Sequence, residues 1–280
     1  MQLTNVMNLP DTIADAVAAD TYHQDGHISI SGVIQPPRQR QLYERHKDLI
    51  VEDVSDRVWM LMGNNVHNIL ERVDAKDGIQ EERLSIDIEG WKVTGQADLY
   101  KDRMITDYKM TSVWAILHGV NPEWVTQVNC YAEMFRQAGF GVDGVQIIAL
   151  LRDWSKNRVQ GNYPEKQVVA LPVDLWPTEK VQDYLIERVK LHQEAEKLSD
   201  TDLPMCTDAE RWSRPPKWAV KVKGQKRAKR VLDNESDALA WIWNNPSKAK
   251  PLEVEYRQGE DVRCESYCPV KQFCNKGELQ

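Results

Sequence analysis

The chain has 280 residues, 41% apolar and 28% charged, with a formal net charge of −7. This composition excludes a disordered or low-complexity chain and leaves room for one large domain, or one domain with an appendage. No stretch approaches the roughly 18 apolar residues of a membrane span. Met1 to Ala19 also lacks the basic region and apolar core of a secretory signal, so a cytoplasmic protein with no membrane partner is expected.

In chain order, Ile28 to Ile34 alternates apolar with small residues until Pro36-Pro37 stops it. Arg38 to Leu49 and Val54 to Val73 carry helical spacing, the second with Asp53 or Ser55 as its cap. The apolar period then falls from 3.6 to 2. Leu84-Ile86-Ile88, Trp91 to Leu99 and Met104 to Met110 predict three strands in a meander, with turns at Gly90 and Asp102. Pro122 to Gln137 returns to helical spacing, with Pro122 in the first turn. Val145 to Leu151 predicts a buried strand, Val168 to Val173 a further strand, and Trp176 to Leu198 an amphipathic helix. Beyond Pro204 come a basic aromatic hairpin, a short helix from Glu235 to Trp243, and a strand from Leu252 to Tyr256. The order predicts an α/β layer core with a C-terminal appendage. Residues 1–52 form a helical segment, 53–200 the core, and 201–280 the basic and cysteine-bearing region.

Chemistry concentrates on the predicted strands. Asp107 and Lys109 are two apart, so they share one face of a strand, and Asp98 on the neighbouring strand can reach them. Two carboxylates and an ammonium suit phosphodiester hydrolysis. Hard Mg²⁺ takes oxygen ligands, stabilises phosphate charge and acidifies water, and a lysine can balance the developing negative charge. The competing reading of such a set is a surface ion pair across two strands. Two helical motifs flank it. His67 and Glu71 stand at i and i+4 before the strands, and Gln127 and Tyr131 at i and i+4 after them.

The order His67, Gly95-x-x-Asp98, Asp107-x-Lys109, Gln127-x-x-x-Tyr131 resembles the RecB-like branch of the PD-(D/E)XK nucleases. The Pro of the family motif is replaced, with Ile105 and Thr106 preceding Asp107. The resemblance implies a restriction-endonuclease-like core, a central mixed sheet flanked by helices. It implies His67, Asp98 and Asp107 as ligands of Mg²⁺ or Mn²⁺, Lys109 as the catalytic lysine, and Gln127 and Tyr131 beside the substrate. Glu71 falls outside the family pattern and is a group that could support the metal ligands. Pro36-Pro-Arg-Gln-Arg-Gln-Leu42, Asp56-Arg-Val-Trp59, Asp107 to Trp114 and Leu151-Arg-Asp-Trp154 are similar to phage-encoded members of the group. That similarity implies a phage protein acting in a bacterial host. Its partners would be DNA and a phage recombination or replication protein.

Of the five cysteines, Cys264, Cys268 and Cys274 cluster with spacing C-x3-C-x5-C. A reducing cytoplasm disfavours disulfides, so the trio reads as metal ligands, with Cys206 as the distant fourth and Cys130 as a small core residue. Four thiolates suit zinc or a [4Fe-4S] cluster alike. AddB-type nucleases and the iron-sulfur nucleases of CRISPR adaptation are similar in pairing this core with one distant cysteine and a C-terminal trio. That resemblance implies the [4Fe-4S] cluster.

From Arg211 to Val231 stand nine Lys or Arg and no acid, interleaved with Trp212 and Trp218. Cations serve phosphates and indoles can stack on unpaired bases, so Lys221, Lys223, Lys226, Arg227 and Trp218 are candidate DNA contacts. The competing reading is a solvated hairpin whose tryptophans pack inward. Arg38, Arg40, Arg45 and Lys47 make a second, weaker basic region that would place DNA against residues 1–52. These features predict a metal-dependent DNA exonuclease. A structure-directed or single-strand endonuclease is the enzymatic alternative, and a non-catalytic DNA-binding module the other.

Overall fold

The structure, a computed structural model, describes residues 2–19, 26–73, 75–246 and 250–275. Over these the chain is mixed α/β and divides into two units, Met1–Leu203 and Pro204–Gln280.

The first unit begins β1 (Gln2–Thr4), α1 (Asp11–Ala19), β2 (Ile28–Ser29), α2 (Ile30–Ile34), α3 (Pro37–His46), β3 (Val51–Asp53) and α4 (Val54–Glu71). Of the alternating stretch Ile28 to Ile34, only the first two residues pair as a strand. The Ser29 hydroxyl accepts the amide of Gly32 and so starts a helix instead. Asp53 caps α4 by accepting the Ser55 amide.

β4 (Ile79–Gln80), β5 (Arg83–Ile88), β6 (Trp91–Gln96), β7 (Leu99–Lys101) and β8 (Met104–Thr111) follow, then α5 (Pro122–Gln137), β9 (Gly144–Leu151), β10 (Val168–Val173) and α6 (Thr178–Glu196). The alternating region is not one meander. β5 and β6 form a hairpin in a three-stranded sheet of order β2-β6-β5, whereas β7 and β8 belong to a five-stranded sheet of order β10-β9-β8-β7-β4. The chain changes sheet at Ala97-Asp98. β8 and β9 run parallel, so the chain must cross over between them, and α5 is that crossover.

α5 starts cleanly because Asn121 caps it through the Glu123 amide and Pro122 occupies its first turn. Its apolar face, with Val128, Tyr131, Met134 and Phe135, is buried in the core alongside Val181, Leu185 and Val189 of α6. Each large apolar side chain so buried contributes roughly 1.5–3 kcal/mol. Gly95 on β6 lets sheet and helix approach: a Cβ there would stand 2.6 Å from Met134 Sδ and 3.0 Å from Tyr131.

The weaker basic region is engaged inside this unit. Arg38 is buried and donates to the Leu203 carbonyl at 2.5 Å. Arg40 pairs with Glu196, Arg45 with Asp200, and Lys47 with Glu44. Residues 1–52 therefore belong to the first unit, and three of the four cations expected to approach DNA tie α3 to residues 196–203, while Lys47 pairs only with its neighbour Glu44.

The second unit contains α7 (Asp208–Arg211), β11 (Ser213–Arg214), β12 (Lys217–Val222), β13 (Ala228–Leu232), α8 (Glu235–Asn244), β14 (Leu252–Arg257), β15 (Glu260–Asp261) and α9 (Val262–Ser266). The expected hairpin is β12–β13, and β14 adds on its other side to give an antiparallel sheet of order β13-β12-β14. α8 packs against all three strands, with Ala219, Val220 and Ala238 fully buried. Among the described residues no helix is long and apolar enough to cross a membrane.

Candidate active site

The register of the five-stranded sheet assembles the acidic residues. Leu99 pairs with Thr106 across β7 and β8, so the next position down the ladder brings Asp98 opposite Asp107. Asp98 sits where the chain leaves β6, and its Oδ2 accepts the Tyr108 amide at 2.5 Å. Its Oδ1 lies 3.2 Å from His67 Nδ1 on α4. A third carboxylate, Glu81, stands 3.7 Å from the same nitrogen. The ligand atoms of His67, Glu81 and Asp98 all lie within 4.8 Å of one another.

Glu81 is the functional residue the sequence did not single out. It occupies the turn between β4 and β5 with φ at +49°, a left-handed conformation costing roughly 1–2 kcal/mol for a residue with a Cβ. Its backbone amide donates to the Asp98 carbonyl, and its Oε2 accepts from Gln96 at 2.7 Å. Nothing in its immediate sequence, Gln80-Glu81-Glu82-Arg83, separates it from an ordinary polar turn. Glu71, which the helical spacing pointed to, is exposed.

Lys109 completes the set. Its ammonium lies 2.8 Å from Asp107 Oδ2 and donates to Gln127 Oε1 at 2.9 Å. Gln127 in turn donates to the Tyr131 hydroxyl at 2.9 Å and to Ser31 Oγ at 3.5 Å. The i, i+4 pair on α5 thus faces the acids and steadies the lysine. All these groups line one cavity of about 450 Å³, whose rim adds Ser29, Ser31, Asn64, Asn68 and Arg83.

The acids of the cavity are paired with cations of the chain itself. Asp98 and Glu81 hold the proton on His67, pushing its pKa up to about 10. Burial pushes Asp107 up, to about 6, with Asp98 adding to the rise and Lys109 opposing it. Asp107 Oδ2 is buried and, despite its proximity to Lys109, has no partner of hydrogen-bond geometry. The carboxylates of Glu81, Asp98 and Asp107, with the His67 ring once a cation displaces its proton, form a donor set suited to a hard cation.

In the second unit the chain that carries the C-terminal trio returns beside the segment of Cys206. Burial chiefly, then Glu210, then Cys264, Cys268 and Cys274 push the Cys206 thiol up to about 12. The return is built by β11 pairing with β15, by Arg211 holding both the Cys206 carbonyl and Asp261, and by Arg263 donating to the Glu210 carbonyl. Trp212 packs on Tyr267 at 5.6 Å under Arg263, so it anchors this return. Cys130 is buried in the core, apart from this group.

The expected DNA contacts on the hairpin divide. Lys221 is held by Glu253 and Glu255 of β14, and Trp218 packs edge-on against Tyr256 at 5.1 Å. Lys223, Lys226 and Arg227 are exposed at the turn.

No family model matches the chain, and no curated protein matches it. Among solved structures it is similar to the protein SSO0001, at 12% identity and a TM-score of 0.45, over 65% of this chain and 85% of that one. It is also similar to a phage related exonuclease from Haemophilus somnus 129PT, at 14% identity and a TM-score of 0.28, over 69% of this chain and 83% of that one.

Proposed function

We propose that the first unit is a divalent-metal-dependent deoxyribonuclease, acting as an exonuclease on linear DNA. The observation that carries this reading is the lysine. Lys109 is fixed between a buried carboxylate and the Gln127 amide, in the same cavity as His67, Glu81 and Asp98. His67, Glu81, Asp98 and Asp107 would hold Mg²⁺ or Mn²⁺. A cation held there supplies Lewis-acid chemistry, stabilising negative charge on the phosphoryl group and acidifying water.

The chain's own residues do the rest. Gln127, itself oriented by Tyr131 and Ser31, keeps the Lys109 ammonium in one position. That ammonium adds positive charge where the attacked phosphate gains negative charge, and its pre-set position costs no reorganisation. Arg83 and the Ser29, Ser31, Asn64 and Asn68 side chains offer donors to the neighbouring backbone of the strand. The four cysteines would hold a [4Fe-4S] cluster, with zinc as the alternative, pinning the tail of the second unit. A phage recombination or replication role fits an exonuclease and rests on the sequence resemblance. An endonuclease would use the same chemistry.

The test is incubation with Mg²⁺ or Mn²⁺ and linear or circular DNA. Loss of linear DNA alone supports the exonuclease, and loss of circles identifies the endonuclease. Lys109→Ala should bind DNA as the parent does yet cleave at least a hundredfold more slowly, on the order of an electrostatic transition-state contact. Parental cleavage by that variant removes the lysine from the reaction.

A further inference from the structure

We propose that the second unit carries a pocket for an unpaired nucleotide, with Trp241 as the stacking surface and Lys229 as the phosphate contact. The pocket, about 550 Å³, lies between α8 and the sheet. Its walls include Trp241 of α8, Val222 of β12, Leu252 of β14, Gln225 of the hairpin turn, Asn245 at the end of α8, and Lys229 of β13. Among the described residues no carboxylate lines it.

The chemistry of these walls selects a nucleotide. An indole beside two aliphatic side chains offers a flat apolar slot that accepts any base on its face. Gln225 and Asn245 add neutral amides able to meet a base edge from either side of the donor–acceptor pattern. The Asn245 amide nitrogen already donates to the Trp241 carbonyl at 2.9 Å, which fixes it beside the indole. A base within a duplex is stacked on both faces, so only an unpaired base can enter.

The cations of the hairpin divide in a way that fits this. On β12, Lys217 pairs with Asp233, and Lys221 with Glu253 and Glu255. At the turn and along β13, Lys223, Lys226, Arg227, Lys229 and Arg230 are exposed, and no ion pair joins them to a carboxylate among the described residues. Charge left for an external phosphate therefore gathers beside the pocket. That the strand is DNA rests on the nuclease reading. The pocket itself asks only for an unpaired base and its phosphates.

The experiment measures binding of the full chain, in chelator, to three labelled ligands of one length: oligothymidylate, an abasic strand with the same phosphates, and a duplex. Oligothymidylate should bind about fivefold to a hundredfold more tightly than the abasic strand. Trp241→Leu should lose that preference and Trp241→Phe keep part of it, while duplex binding changes little in either. Equal affinity for the first two ligands overturns the pocket, as does a preference that survives Trp241→Leu. If Trp241→Leu fails to fold, photocrosslinking of a 5-bromouracil-substituted oligothymidylate to the parent protein serves instead, and crosslinks that miss Trp241 and its pocket neighbours are equally fatal. Cleavage of linear DNA is followed in the same preparation with Mn²⁺. Binding preference without cleavage keeps the pocket and sinks the nuclease reading; cleavage without preference does the reverse.

Discussion

Replacing Glu81 by Gln isolates the candidate metal ligand that the sequence does not mark. The variant keeps the side chain's size and a partner for Gln96, but removes one carboxylate from the donor set. Glu81 Oε1 stands 3.7 Å from His67 Nδ1, within the range where a cation held by His67 and Asp98 would feel its charge. Unit charges about 4 Å apart interact by about 4 kcal/mol at an effective dielectric of about 20. Most of that is offset, because water replaces the lost oxygen and the carboxylate no longer has to be desolvated. The expected net effect is a 10–100-fold loss of Mn²⁺ affinity, roughly 1.4–2.8 kcal/mol. Calorimetric titration of Mn²⁺ into metal-free protein reads this directly. Cleavage should return as Mn²⁺ is raised, since the lysine and the other ligands are untouched. Glu71→Gln, on the same helix as His67 but exposed, should bind Mn²⁺ as the parent does. If Glu81→Gln also binds like the parent, Glu81 is no ligand and the cavity's acidic side has been misread.

Arg83→Ala should raise KM for DNA more than it lowers kcat, because its guanidinium reaches into the cavity from the rim, held by Gln96 at 2.8 Å. A pure kcat loss would place it in the reaction instead. Gly95→Val drives new atoms toward Met134 and Tyr131 and should cost about 1–3 kcal/mol or more, read by thermal unfolding; an unchanged melting temperature contradicts the close packing of β6 on α5. Asp200 is held below its ordinary pKa by Arg45 first and then His46. Its contribution is therefore present above the unfolded value near 3.8 and lost as pH falls through the lower folded value. Asp200→Asn should be less stable at neutral pH by about 0.2–1 kcal/mol, the range of a solvent-screened pair, and should match the parent in strong acid. A difference that persists in acid would mean that Asp200 acts by packing.

Local periodicity made α5, β8 and β9 legible, because each carries enough apolar positions to define its buried face; α4 was legible as a helix, but Trp59, Met60, Met62 and Ile69 on it are exposed and only Val54 is buried. The proximity of Asp98 to Asp107 was legible too, since neighbouring antiparallel strands bring such residues opposite each other. Glu81 was not. Its place depends on a left-handed turn and on the chain changing sheets at Asp98, and neither leaves a signal in residue type. The partners of Lys221 were equally hidden. Glu253 and Glu255 follow it by more than thirty residues, and only the pairing of β12 with β14 brings them across. Trp212 shows the same limit from the other side: a tryptophan among cations looks like a base-stacking residue, but Tyr267, far along the chain, takes its ring.

The change of sheet at Asp98 also makes the cavity a fault line. α4, the turn before β5, the junction after β6, and β8 meet there with α2 and α5, and three of these stretches each contribute a carboxylate to one small volume. Those carboxylates are held against the protonated His67 ring and the Lys109 ammonium, which come from different stretches. The seam is thus closed by charge pairs rather than by apolar packing, and breathing of the first unit should begin there, before the packed contact between α5 and α6 loosens. The same groups that give the cavity its chemistry thus decide where the molecule first comes open.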